Sequence, residues 1–211
     1  MTLAAYQNAF ARMVLSPALC RRARCEGEAA LAGFELDVAE RSRLLHIARQ
    51  PGMRITCILA RANRLSSLAG ALPLSCELLK PRLGELLDRY WDAHPMADLQ
   101  SLPAGLAFAL FLAAEIQAGR VVARFAVDVL RYERAWLELQ LSTHTGSSLS
   151  GEAQAVRELT FGFDPTPLFE ALGAGNPVPD WLPESLTTVV LDFRSDPPQT
   201  LIRPASNGRV D

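Results

Sequence analysis

The chain has 211 residues, 49% of them apolar and 21% charged, and carries a net charge of −2. That composition fits one folded core or one core with a small second module, and it gives no general attraction to phosphate or anionic lipid. No nucleic acid and no membrane is therefore expected as a partner.

Cys20, Cys25, Cys57 and Cys76 form no C-x-x-C pair and have no histidine at ligand spacing, so they are expected to be small buried thiols of a reducing compartment. The start shows no charged segment followed by an apolar one, and the apolar runs are too short or too interrupted to span a bilayer. The expected location is the cytoplasm.

Leu3, Tyr6, Phe10, Met13 and Val14 recur at helical spacing, with Thr2 available as an N-cap, and predict a first helix to Leu15. Ser16-Pro17 ends it and starts the next. Asp37 followed by Glu40 predicts a capping box for a helix running to Arg49, closed by Pro51-Gly52. Ile55, Ile58, Leu59, Ala62, Leu65 and Leu68 mark another apolar face on the helix that follows. Another helix begins near Pro81, carries Leu83, Leu86, Leu87, Tyr90 and Trp91, and breaks at His94-Pro95. Ser101 and Pro103 open a helix so apolar through Phe108, Phe111 and Leu112 that a central, fully buried position is expected before its stop at Gly119.

From Val121 to Leu141 the residues Val121, Val122, Phe125, Val129, Tyr132, Trp136 and Leu139 mark one helical face. At about 100° per residue, Glu133 falls inside that apolar arc. A buried carboxylate is costly unless it is paired, so Glu133 needs an Arg, a His, a Tyr hydroxyl or backbone N–H groups. The expected role is structural, pinning a loop or a neighbouring helix, with Tyr132, Trp136 and the helix-end His94 as further structural residues.

Thr143 to Gly151 is rich in Ser, Thr and Gly and predicts a linker over 143–152, between a helical domain at 1–142 and a small α+β module at 153–211. Beyond it the period changes to two. Leu159, Phe161 and Phe163, then Val189, Leu191 and Phe193, alternate as strands, with a short helix from Asp164-Pro165 and a third strand at Thr200 to Arg203. The predicted fold class is mainly α, an N-terminal helical bundle followed by a module of about three strands.

No G-x-S-x-G, phosphate loop or dinucleotide fingerprint occurs. His46, His94 and His144 are scattered, so no catalytic residue and no metal ligand set is assigned. Arg21, Arg22, Arg24, Arg54, Arg61 and Arg64 read as solvated helix faces, or as a cradle for an acidic peptide or a phosphate.

Three blocks, Tyr90-Trp91-Asp92-Ala93-His94-Pro95, Phe108-Ala109-Leu110-Phe111-Leu112 and the run Asp128 to Trp136, carry a family resemblance. The chain resembles the accessory subunits of TIM-barrel multinuclear non-haem iron enzymes in ribosomal peptide natural-product biosynthesis, a family whose helical part was first labelled DNA-binding. Within it, the chain is similar to the small subunits of 3-thiaglutamate (pearlin) biosynthesis, which are related to that of methanobactin oxazolone synthase. The similarity covers about Leu44 to Leu139 and the strand, helix and strand after Val156.

The resemblance implies a non-catalytic peptide-recognition subunit without a cofactor of its own, in a heterodimer whose partner holds iron. In that setting the holoenzyme uses dioxygen to remove the β-carbon of a C-terminal cysteine from a precursor peptide. An open sheet edge suits strand addition by such a peptide, which places binding at Val189, Val190, Leu191, Asp192, Phe193, Thr200, Leu201 and Ile202. A DNA-binding regulator, and a stand-alone enzyme using His94 and Glu133, stay open as alternatives.

Overall fold

The computed structural model describes residues 3–94, 101–144 and 155–204. In chain order these form helices α1 (Leu3–Leu15), α2 (Pro17–Glu26), α3 (Val38–Arg49), α4 (Pro51–Ala71), α5 (Pro73–Leu78), α6 (Leu83–Ala93), α7 (Ser101–Gln117) and α8 (Ala126–His144), then strand β1 (Val156–Phe163), helix α9 (Thr166–Gly173) and strands β2 (Glu184–Asp192) and β3 (Gln199–Pro204). A 3-10 turn at Gly27–Leu31 joins α2 to the segment before α3. The fold is mainly α with a small antiparallel sheet, as the change of period predicts. Two compact units divide the chain: 1–67 with 85–99, and 68–84 with 100–211.

In the first unit, local sequence sets the helix ends. The Ser16 hydroxyl accepts from the Leu19 N–H at 3.2 Å, and Pro17 occupies the first turn of α2, where its missing N–H costs nothing. The Glu40 N–H donates to Asp37 Oδ1 at 2.7 Å while the Asp37 N–H donates to Glu40 Oε2 at 3.1 Å, so both halves of the capping box form. Met13, Cys20, Ala23, Leu31, Leu44, Ala48, Met53 and Cys57 fill the core. At the far end of α4 the guanidinium carbons of Arg61 and Arg64 lie 5.1 and 4.6 Å from the Trp91 ring centroid.

Of the apolar face expected on α4, Leu68 alone is buried. Ile55, Ile58 and Leu59 are 60%, 55% and 58% exposed, whereas Met53, Cys57, Arg64 and Leu68 are buried. Helix α4 carries two stripes, and the one through Met53 and Cys57 joins the core of this unit. Arg64 is only 5% exposed, and burial lowers its pKa. Its stem and guanidinium pack on Trp91, and Nη2 reaches the His94 carbonyl at 3.5 Å.

The second unit is organised around α8. One side packs Val129 with Leu168, Leu172 and Leu182. Another packs Ala135 and Leu139, flanked by Tyr132 and Trp136, against Phe161, Val189 and Leu191 of the sheet. The C-terminal strands thus share their core with α8, and the boundary expected at 142 does not separate two cores. Helix α8 also runs through 143 and 144, and positions 145–152 of the expected linker lie outside the described residues, as do Thr2 and Pro95. Its start is later than predicted: Val121 and Val122 precede the helix, with Val122 fully open to solvent, and Phe125 holds a left-handed φ of 65°. The Phe125 carbonyl accepts the Val129 N–H at 2.9 Å, and its ring lies 5.1 Å from that of Phe163.

Helix α7 is not buried all round. Phe108, Ala109 and Leu112 are buried, while Leu110 is half-exposed and Ala107 and Ala114 are exposed. Gly119, at φ 67°, ends the run as predicted. Beyond it Arg120 forks onto the buried Glu115 carboxylate, with Nη2–Oε1 at 2.7 Å and Nε–Oε2 at 3.1 Å.

Close approach is tightest at Gly105, where an added Cβ would stand 2.4 Å from the Ala71 Cβ and 3.3 Å from Leu137 Cδ1. Gly105→Ala is expected to destabilise the protein by about 1–3 kcal/mol through overpacking, in spite of its better helix propensity. A shift of the urea midpoint to higher concentration would contradict this.

Candidate functional site

Glu133 is 4% exposed, as its helical phase predicts, and its partners are backbone amides. The Leu74 N–H donates to Oε1 at 2.6 Å and the Ser75 N–H donates to Oε2 at 2.8 Å. These are orphan donors of the first turn of α5, whose N-cap, Leu72, has no side-chain acceptor to offer. A carboxylate from α8 therefore caps α5 across 59 and 58 residues of sequence. Burial pushes the Glu133 carboxyl up to about 7, against the pull of hydrogen bonds from Ser75 and Leu74. Burial, reinforced by the Glu133 charge, pushes the nearby Cys76 thiol up to about 12. Both oxygens are engaged in holding the helix start.

The other structural residues fall nearby or in the first unit. The Tyr132 ring lies 4.5 Å from that of Phe169. Trp136 meets Phe193 edge-on at 4.8 Å. His94 is exposed at the end of α6, with Nδ1 3.0 Å from the Tyr90 carbonyl and its ring 4.8 Å from Tyr90. His94 and Glu133 belong to different units, and each is accounted for by a local contact. Cys20, Cys57 and Cys76 are buried, but Cys25 is exposed. Among the described residues no group of three or more His, Cys, Asp or Glu side chains could hold a metal ion, and no helix is long and apolar enough to cross a membrane.

The sheet runs in the order β1-β2-β3, which makes β1 and β3 its edges. Strand β2 is central: Val189 faces Leu159 on one side and Ile202 on the other, and Val189, Val190 and Leu191 are buried. The backbone groups of 189–192 are consumed by two ladders, so the expected binding positions Val189, Val190, Leu191, Asp192 and the flanking Phe193 cannot receive a further strand. Thr200, Leu201 and Ile202 do lie on an edge strand, β3.

Hydrogen-bond parity tells which groups each edge offers. The Phe193 N–H donates to the Ala155 carbonyl at 2.8 Å, which makes Ala155/Phe193 a bonded pair; antiparallel alternation then turns residues 157, 159 and 161 toward β2. Val156, Glu158 and Thr160 point their N–H and C=O groups away from it. Arg131 of α8 confirms the direction, since its Nη2 donates to the Thr160 carbonyl at 2.6 Å. By the same alternation Thr200, Ile202 and Pro204 point outward on β3, and Pro204 brings no donor.

The β1 edge borders a cavity. A groove of about 330 Å³ is floored by Ala113 and Ile116 of α7, Val127, Leu130 and Ala135 of α8, and Leu159 of β1. Its rim carries Arg131, Arg134, Glu138 and Arg157. These residues follow from no motif. Arg131, Arg134 and Glu138 look like a solvated helix face in sequence, and the groove arises only when β1 lies alongside it.

The pH dependence of stability follows from Glu133. A carboxyl whose folded-state pKa of about 7 lies above its ordinary 4.5 stabilises the fold fully below about pH 4.5 and progressively less as pH rises to 7. Glu133→Gln, which cannot titrate, is expected to flatten that decline by up to about 3 kcal/mol, read from urea midpoints across the window; equal slopes in the two proteins would refute it. Glu133→Ala strips the cap from two amides and is expected to cost about 2–4 kcal/mol, a smaller loss than deleting the partner of a buried charge. The chain matches no protein-family model and no curated protein.

Proposed function

We propose that this chain is a non-catalytic accessory subunit that captures an extended peptide and presents it to a partner enzyme. The observation that carries it is the β1 edge, where the outward backbone groups of Val156 and Glu158 open beside an apolar groove between α7, α8 and β1. An extended peptide meets both needs at once. Its backbone completes the ladder, and its alternate side chains enter the groove.

The resemblance of the 90–95, 108–112 and 128–136 blocks supplies the setting. The partner is then a TIM-barrel multinuclear non-haem iron enzyme, and the peptide is a precursor whose C-terminal cysteine loses its β-carbon in a dioxygen-dependent step of 3-thiaglutamate biosynthesis. Iron belongs to the partner in this reading, and the part of this chain is binding and orientation.

Co-expression with such a partner is expected to give a heterodimer on size-exclusion chromatography, with dioxygen-dependent turnover far above that of the partner alone. Full activity of the isolated partner would overturn the proposal. Adding precursor peptide to the heterodimer is expected to slow hydrogen exchange at the Val156 and Glu158 amides, which face away from β2. Protection confined to β3 would move the site to the other edge.

A further inference from the structure

The groove beside β1 has a charge pattern as well as a shape. Three guanidiniums and one carboxylate line it, and that carboxylate is shared: Arg134 Nε is 2.7 Å from Glu138 Oε1, and Arg157 Nη2 is 4.0 Å from Glu138 Oε2. Arg134 stands on α8 and Arg157 on β1, so Glu138 holds one cation on each wall. Neither guanidinium uses its full fork of donors on Glu138. Arg131, the third, is paired with Asp128 at 3.4 Å, anchored to the Thr160 carbonyl, and lies 4.8 Å from the centroid of the Phe161 ring. It closes the edge at Thr160, leaving Val156 to Glu158 as the stretch that no other described strand covers.

We infer that the segment taken up by the β1 edge is acidic, with Glu or Asp side chains at alternate positions set against Arg134 and Arg157; the inference rests on the peptide-capture reading. The groove floor is apolar, so the positive surplus at its rim acts across a poorly polarisable surface, and planar guanidinium forks match carboxylates two bonds at a time. Outward N–H and C=O groups alternating along β1 select an extended backbone as the carrier of those carboxylates. A peptide with basic side chains meets repulsion at the same rim.

The test uses the full chain and two blocked probe peptides, one alternating Val with Glu and one alternating Val with Gln, titrated while the backbone amides are followed by NMR. The Glu peptide is expected to shift the amides of 156–160 and to bind roughly three- to tenfold more tightly than the Gln peptide at low salt, the advantage shrinking as salt rises. In the double variant Arg134→Gln/Arg157→Gln that preference is expected to vanish while the affinity of the Gln peptide stays the same. Glu158→Pro removes one outward donor and leaves the β2 ladder intact, so it is expected to weaken both peptides with no loss of folded signal. Equal binding of the two peptides to the unaltered chain would overturn acidic selection and leave edge capture standing. If neither peptide shifts 156–160, edge capture itself fails.

Discussion

The second unit depends on one carboxylate reaching across to another helix. Helix α5 has six residues, too few to hold itself, and its N-cap is a leucine. Glu133 supplies both missing acceptors from α8. Helix α5 packs in turn against α9 as well as α8, and α9 lies on the sheet through Phe169 and Phe161. Without the cap, the segment between α4 and α6 would have unsatisfied amides in an apolar setting, and the platform under the strands would lose one support.

Helix α8 serves three neighbours, which explains its mixed composition. Val129 and Glu133 face α5 and α9; Tyr132, Ala135 and Leu139 face the sheet; Val127, Leu130, Arg134 and Glu138 line the groove. A helix with one apolar stripe could be docked in only one way. Here the polar remainder of the surface is divided between a cap, buried and directed at backbone amides, and a rim, exposed and directed at solvent. The two kinds of charge differ in what they do because they differ in burial, although both are carried by ordinary Glu and Arg residues.

Local rules made the helix ends readable from sequence: Ser16-Pro17, the Asp37 and Glu40 pair, and Gly119 each act through groups within a few residues. The burial of Glu133 was readable too, because helical phase alone places it. Its partner was not, since the amides of Leu74 and Ser75 lie far away in sequence and carry no side-chain signature. Strand existence was legible and strand order was not. A signal did exist in Val189-Val190-Leu191, a continuous apolar run of the kind that belongs to a strand covered on both faces, and it marks β2 as central. On α4 the stripe through Ile55, Ile58 and Leu59 masked the one through Met53 and Cys57 that packs, and Arg64 hid its burial behind a charge that Trp91 accommodates.

Phe125 carries a further meaning. A side chain with a Cβ in the left-handed region costs about 1–2 kcal/mol, and here the ring's contact with Phe163 helps to offset it. The first turn of α8 is thereby indexed to a single residue. A slip of one position would rotate the helix by about 100°, swinging Glu133 off the α5 amides and Arg134 off the groove wall in the same movement. The strained residue at the helix start acts as a phase lock, so that the cap and the groove rim are correct together or wrong together.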